Sequence, residues 1–141
     1  MYKNILFPID LNQDSSWTKA LPTALDYCKA FGSTLHVLNV VPDFGMSIVG
    51  SYFPEGFEEK ALEGARTQLH EFVRDQVPEG VAVQHIVGHG SVYNEILRVA
   101  HEIKADLILL AAHRPELKDF LLGPNAARVV RHFEGSVLVV R

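Results

Sequence analysis

The feature of this chain that most restricts its fold is a regular alternation of short apolar runs with helical patterns. The apolar runs are rich in Val, Ile and Leu, which is typical of strands buried on both faces of a parallel sheet. They predict five strands, at residues 5–9, 35–41, 81–87, 107–112 and 137–140. Four helical patterns lie between them. This order predicts an α/β fold with a doubly wound, five-stranded parallel sheet and helices on both faces.

The first helical pattern carries two local predictions. Its apolar residues recur at helical spacing from Trp17 to Cys28, and Ser15 or Ser16 precedes them as a candidate N-cap. Pro22 lies inside this pattern. Because proline lacks a backbone N–H, we expect Pro22 to remove one hydrogen bond and to kink the helix.

Length and composition exclude several classes of protein. The chain has 141 residues, 48% of them hydrophobic and 21% charged, so one domain over residues 1–141 is expected. The net charge of −4 lacks the clustered basic face of a nucleic-acid-binding protein. The start shows no signal-peptide pattern, and the longest apolar run, residues 107–112, is too short to span a bilayer. With Cys28 as the single cysteine, a cytoplasmic protein without a membrane partner is expected.

Two glycine-containing segments are considered for ligand binding: the first has two possible interpretations, and the second is predicted to form turns. Residues 42–56, which follow the second strand, contain three glycines, two prolines and several large apolar side chains. A loop of this length is either a mobile surface loop or a lid over a ligand. Gly88 and Gly90 superficially match a dinucleotide fingerprint, but the third glycine position is Tyr93, so both are predicted to be turn residues.

The segment from Ala105 to Arg141 predicts an anion site. A buried strand runs into a polar loop, a glycine (Gly123) stands where a helix begins, and a short apolar strand follows. The unpaired N–H groups and the dipole of a helix that begins after a parallel strand both favour a bound anion.

The motifs along the whole chain resemble those of the universal stress protein family, in its single-domain bacterial, UspA-like type. The matching segments are FPID at residues 7–10, Gly90 before the third helix, a His-Arg-Pro loop at 113–115 and SVLVVR at 136–141. This resemblance implies a Rossmann-like, adenine nucleotide alpha hydrolase-like fold with the strand order 3-2-1-4-5. In that order, strands one and four are neighbours at the ligand-binding crevice.

The phosphate motif departs from the family pattern. Where the family has Gly-x2-Gly-x9-Gly-Ser/Thr, this chain has Ala111, Arg114, Gly123 and Pro124, with eight residues between Arg114 and Gly123. Arg114 either offers its planar donors to phosphate, blocks the pocket, or pairs with a nearby carboxylate. Pro124 supplies neither an N–H nor a hydroxyl, so phosphate affinity is expected to be weaker by on the order of 1 kcal/mol.

The resemblance implies which residues meet the nucleotide. Asp10 would lie near ribose or a phosphate-bound Mg²⁺; the alternative is that it only caps a turn. The main chain of Val40 would recognise the adenine edge. The remaining implied contacts come from the ends of strands one and four and from the start of the fourth helix: Pro8, Ile9, Ala112, His113, Arg114, Gly123, Pro124, Asn125 and Ala126.

The expected function is regulatory binding of ATP, or of AMP or ADP, in stress resistance. No catalytic residue is assigned, and the other histidines show no metal-ligand spacing. Two alternatives stay open: a stress protein that acts only through protein contacts, and a slow ATP hydrolase in which Asp10 or His113 would activate water. The resemblance also implies a homodimer formed by the last strand, from Ser136 to Arg141, because an open apolar edge strand invites pairing.

Overall fold

The sheet is the centre of the structure, a computed structural model that describes residues 1–41, 56–112 and 124–141. Its strands are β1 (Asn4–Ile9), β2 (Thr34–Val41), β3 (Val83–His89), β4 (Leu107–Ala111) and β5 (Ser136–Val140). Every neighbouring pair is parallel, and the order is β3-β2-β1-β4-β5. The predicted five-stranded parallel sheet with order 3-2-1-4-5 is therefore confirmed.

In the described residues, four α-helices cover the two faces of the sheet. They are α1 (Ala20–Phe31), α2 (Phe57–Gln76), α3 (Val92–Glu102) and α4 (Pro124–His132). Residues of α1 and α2 pack in one apolar cluster, and residues of α3 and α4 pack in the other. Within the described ranges, none of these helices has both the length and the apolarity needed to cross a membrane.

The central strands contribute side chains to both clusters because successive strand residues point to opposite faces. In β1, Ile5 and Phe7 join the α1–α2 cluster, whereas Leu6 joins the α3–α4 cluster, and all three are fully buried. In β2, Leu35 and Val37 face α1 and α2, and Leu38 faces the other side. This double burial explains why these strands read as continuous apolar runs.

The start of α1 differs from the prediction. The helix begins at Ala20, so Pro22 lies in its first turn, where a backbone N–H has no intrahelical partner in any case. The predicted kink at Pro22 was wrong for that reason. The predicted cap was also wrong: Lys19 occupies the N-cap position, and Ser15 and Ser16 belong to a short 3-10 turn (Asp14–Ser16).

Strand β3 starts and ends two residues later than predicted. Its register with β2 runs from the pair Leu35–Val83 to the pair Val41–His89, which places Gly88 inside the strand. Gly88 is therefore not a turn residue: a Cβ there would lie 3.4 Å from the Glu95 side chain, so the glycine allows a close approach of α3. Gly90, with φ of 122°, is a turn residue as predicted.

The amino ends of β1 and β4 are joined by one carboxylate. Asp106, just before β4, accepts the backbone N–H of Lys3 at 2.9 Å and that of Asn4 at 3.1 Å, one on each carboxylate oxygen. The N–H of Asp106 in turn donates to the carbonyl of Asn4 at 3.1 Å. Three hydrogen bonds thus fix how these two neighbouring strands begin.

Candidate functional site

A cleft of about 1020 Å³ lies across the carboxyl edge of the sheet. It is bounded by the ends of β1, β2 and β4, the loop that follows β1, and parts of α2, α3 and α4. Strand order reverses between β1 and β4, because the chain moves from β1 outward to β3 and then returns to β4 on the other side. Such a reversal point is where open α/β sheets bind ligands.

Asp10 lies at the end of β1, at the mouth of the cleft. One of its carboxylate oxygens, Oδ1, accepts the backbone N–H of Asn12 at 2.9 Å, and its carbonyl accepts the N–H of Gln13 at 3.0 Å. Asp10 therefore does cap a turn. Its second carboxylate oxygen accepts no hydrogen bond from the described residues, and the side chain is exposed. That oxygen remains available to a ligand or a cation.

Ser16 fixes the position of this loop. Its hydroxyl accepts the backbone N–H of Asp10 at 2.8 Å and donates to the Asp10 carbonyl at 3.0 Å. One side chain thus contacts both main-chain groups of Asp10: it is the acceptor for the N–H and, beside the N–H of Gln13, a second donor to the carbonyl. The serine that the sequence suggested as a helix cap instead orders the acidic loop.

The described walls of the cleft carry negative charge. Asp10 and Asp14 are the charged residues among the described residues that line it. A phosphate group near two carboxylates would be repelled unless a cation stood between them or basic groups approached from elsewhere in the chain. The carboxylate oxygens themselves are the ligands that Mg²⁺ prefers.

The end of β2 presents main-chain groups to the cleft. The register of β1 with β2 stops at the pair Ile9–Asn39, so no β1 residue lies opposite Val40. On its other side, Val40 is paired with Gly88 of β3. Val40 and Asn39 both line the cleft. The strand edge at Val40 is thus open toward the cleft, which suits recognition of a ligand by the main chain.

The first turn of α4 borders the cleft from the opposite side. The helix begins at Pro124, and both Asn125 and Ala126 line the cleft. N–H groups in a first helical turn have no intrahelical partner, and the helix dipole adds positive potential there. Arg131 and His132 occupy the last turn, where cations complement the other end of the dipole. The first turn of α4 therefore has the electrostatic character of an anion-binding position.

A network of charged side chains holds α3 against the end of β3. Glu95 Oε1 accepts the backbone N–H of His89 at 2.8 Å, and Arg98 binds both oxygens of the same carboxylate. The hydrogen bond from Arg98 is the main reason that the pKa of Glu95 lies below its usual value. His89 Nε2 also lies 3.0 Å from Glu58 Oε1 in the first turn of α2. These contacts position Val92 and Ile96, which line the cleft.

The cleft brings together most of the described residues that the sequence singled out. From three distant parts of the chain, Pro8, Ile9, Asp10, Val40, Ala111, Ala112, Asn125 and Ala126 line it. Pro124 is the first residue of α4. His113, Arg114 and Gly123 lie outside the described residues, as do residues 42–55 of the loop or lid predicted at residues 42–56. No group of three or more histidine, cysteine, aspartate or glutamate side chains suited to a metal occurs in the described ranges.

Sequence reasoning missed the contributions of Asn39, Asp14 and α2. Asn39 lies inside the apolar run at residues 35–41, where a carboxamide is a signal that something polar meets it. The α2 residues that line the cleft are Ala61, Gly64, Ala65 and Gln68. Their spacing along one helix face carried no functional signal in the sequence, because small residues at this spacing also occur in ordinary helix packing.

The site and fold match one class of protein. The sequence profile of the universal stress protein family matches residues 1–141, and the chain belongs to that family. It is 31% identical to universal stress protein G of Escherichia coli O157:H7, with 100% of both chains covered. The resemblance stated from the motifs is therefore confirmed.

Solved structures give the same fold. The structure of protein MJ0577 of Methanocaldococcus jannaschii is 28% identical, with a TM-score of 0.72 over 99% of this chain and 96% of that one. A universal stress protein from Archaeoglobus fulgidus, solved in complex with dAMP, is 17% identical, with a TM-score of 0.70 over 99% of this chain and 98% of that one.

Proposed function

We propose that the cleft binds an adenine nucleotide and that binding, without rapid turnover, is the biochemical activity of this protein. The observation that carries the proposal is the convergence of β1, β2 and the start of α4 on one cleft at the point where strand order reverses. Further support comes from the Archaeoglobus fulgidus relative, which has the same fold and holds dAMP. A regulatory role in the stress response and a cytoplasmic location belong to the same proposal.

In this proposal, main-chain groups of the protein contact both the adenine and the phosphate of the nucleotide. The open strand edge at Val40 takes the adenine edge, and the N–H groups of Asn125 and Ala126 take phosphate oxygens. Pro8, Ile9 and Ala112 line the space between these ends. The proposed ligand is ATP, with AMP and ADP as the other candidates. His113, Arg114, Gly123 and Pro124 complete the phosphate site in this proposal.

Mg²⁺ fits the acidic mouth of the cleft. Asp10 would hold it through the carboxylate oxygen that the Asn12 N–H leaves open, and the ion would offset the repulsion between carboxylate and phosphate. In the described part of the chain, no nucleophile, base and orienting group stand together in the way hydrolysis needs.

Calorimetric titration with ATP, in the presence and absence of Mg²⁺, tests the proposal. We expect saturable binding of about one nucleotide per subunit, with higher affinity when Mg²⁺ is present. Asp10→Asn should remove most of the Mg²⁺ effect, whereas Asp26→Asn, at an exposed position of α1 away from the cleft, should leave it intact. Folded protein that binds no ATP, ADP or AMP at millimolar concentration would reject the proposal and favour a stress protein that acts through protein contacts alone.

A homodimer through β5 is a second part of the proposal. Strand β5 pairs with β4 on one side, and no strand of the described residues lies on its other side. Its residues Val137, Leu138, Val139 and Val140 are only half-buried. An apolar edge of this kind favours pairing with a second copy of the chain, through the strand from Ser136 to Arg141.

Light scattering after size exclusion measures the assembly. The wild type should have twice the subunit mass, and Val139→Lys should shift it to the monomer because a charge enters the proposed interface. Val130→Lys is the matched control, since Val130 is 45% exposed on α4. A monomeric wild type, or equal behaviour of the two variants, would contradict a dimer through β5.

A further inference from the structure

Asn39 is a buried side chain whose polar atoms make no hydrogen bond. It is 8% exposed and lines the cleft, and its carboxamide has neither a donor nor an acceptor partner in the part of the chain that the structure describes. Its two polar atoms are not sealed from solvent, so they reach the cleft at the small exposed part of the residue. A side chain with unused hydrogen-bonding groups, directed into a cleft, points to a ligand that pairs with it.

The wall beside Asn39 is formed by α2. Strand alternation places Asn39 on the face of β2 that Leu35 and Val37 share, which is the face covered by α1 and α2. On that side the cleft is lined by one stripe of α2, with residues at i, i+3, i+4 and i+7: Ala61, Gly64, Ala65 and Gln68. Three of these four side chains are a methyl group or a hydrogen atom, so they leave room for a planar group.

Gly64 supports this interpretation. Glycine within a helix is unfavourable compared with alanine, because it loses more backbone freedom on folding. A Cβ added at Gly64 would meet no atom within 4 Å, so packing inside the protein does not require glycine there. The space in front of Gly64 is part of the cleft. A ligand that occupies this space would explain why a residue without a side chain is found at position 64.

We propose that Asn39 recognises the base of the bound nucleotide through its carboxamide, and that the α2 stripe takes the face of the purine ring. This proposal rests on the proposed adenine nucleotide function and adds its base specificity. A carboxamide offers one acceptor and one donor, which complement the 6-amino group and N7 of adenine. Hypoxanthine carries a carbonyl oxygen in place of the amino group, so the carboxamide oxygen would face another acceptor.

Titration with three nucleotides separates base recognition from other contacts. ATP, inosine triphosphate and 2′-deoxy-ATP are titrated into the wild type and into Asn39→Leu, which has a similar volume without polar atoms. The wild type should prefer ATP to inosine triphosphate by tenfold or more. Asn39→Leu should reduce that preference severalfold, mainly through weaker ATP binding, and the part that remains is assigned to the main chain of Val40. Asn94→Leu, the same exchange at an exposed position of α3 outside the cleft, should keep the wild-type preference.

The outcomes distinguish this inference from the function on which it rests. If the wild type binds ATP and Asn39→Leu keeps the base preference, the role of Asn39 is wrong and the proposed function stands. If Asn39→Leu changes the ratio between ATP and 2′-deoxy-ATP instead, Asn39 contacts ribose and the base assignment is overturned. A wild type that binds none of the three overturns both proposals.

A second pair of variants tests the α2 wall without touching Asn39. Gly64→Leu should weaken binding of ATP and inosine triphosphate by a similar factor of at least tenfold, because it fills the space that either purine needs. Gly64→Ala, which adds a single methyl group, should have a smaller effect. Equal affinities for all three proteins would remove α2 from the site. Thermal unfolding without ligand shows that each variant is folded, and Asn39→Ser replaces Asn39→Leu if the latter is not.

Discussion

The carboxylate of Glu95 accepts the backbone N–H of His89 over 2.8 Å, which joins the third helix to the last residue of the third strand. Glu95 is 8% exposed, and Arg98 binds the same carboxylate. A buried carboxylate that binds a main-chain N–H and a guanidinium has its charge compensated. Gly88 lies beside this contact, since a Cβ at that position would be 3.4 Å from the Glu95 side chain.

Replacing Glu95 should therefore destabilise the fold. Glu95→Ala leaves the N–H of His89 without this acceptor and Arg98 without its buried partner, so we expect a loss of about 1–3 kcal/mol in the free energy of unfolding. Urea denaturation followed by circular dichroism measures it. Glu102→Ala is the control, because its side chain is 60% exposed and binds the same arginine. Equal losses of unfolding free energy in the two variants would show that the buried contact stabilises the fold no more than the exposed one.

The stability should depend on pH through His36. This residue is buried in β2, with Nε2 3.0 Å from Asn4 Oδ1, and burial lowers its pKa below the ordinary value of 6.5. The unfolded chain then binds more protons than the folded one as the pH falls below 6.5. The contribution of neutral His36 is present in full above that pH and is lost as the pH falls through the lower folded-state pKa.

His36→Gln removes this titration. When the pH is lowered from about 7.5 to 5, the free energy of unfolding should fall more for the wild type than for the variant. His101→Gln, at an exposed position of α3, is the matched control. A pH-independent difference for His36→Gln would mean that the histidine has the same pKa in both states.

Cys28 should be chemically inert in the folded protein. It is 4% exposed in α1, and burial raises the pKa of its thiol to about 11. Because the thiolate is the reactive form, little of it exists near pH 8. We expect slow reaction with a thiol reagent in buffer and rapid reaction of one thiol in denaturant. Fast labelling of the native protein at the denatured rate would contradict the burial of Cys28.

Two glycines in open space should respond in opposite ways to alanine. Gly64→Ala should raise the free energy of unfolding by about 0.5–1 kcal/mol, because helical glycine is unfavourable and the added methyl group meets no atom. Gly32→Ala should lower it, since Gly32 ends α1 with φ of 65°, a conformation that alanine adopts only with strain. Chemical denaturation of both variants measures these changes. Stabilisation of both would contradict the prediction that the positive φ of Gly32 disfavours alanine.

Much of the fold followed from the sequence because burial on two faces leaves a direct pattern. Strands such as β1 and β4 are continuous apolar runs, so their existence and order along the chain were predictable. Their order in the sheet came from the family motifs. Helix starts were less predictable. A 3-10 turn at Asp14–Ser16 precedes α1, so the helix begins only at Ala20 and Pro22 lies in its first turn, where proline is tolerated.

The candidate site was predictable where it uses strand ends and a helix start. Asp10 and Asn125 stand at junctions that the pattern of elements reveals, and both line the cleft. The α2 wall was not predictable, because its position depends on how a helix lies across the sheet. Asn39 gave a signal in principle, but only the structure shows that its carboxamide is buried and has no partner within the described ranges.

Asp106 gives the cleft an anchor at the far side of the molecule. Its carboxylate holds the first residues of β1, and β1 and β4 end on either side of the point where strand order reverses. The register of β1 with β4 runs from the pair Ile5–Leu107 to the pair Leu6–Ile108, next to this carboxylate. We therefore expect Asp106 to help align two strands whose opposite ends line the cleft. A mutational survey confined to the cleft walls would overlook one of the residues that shape it.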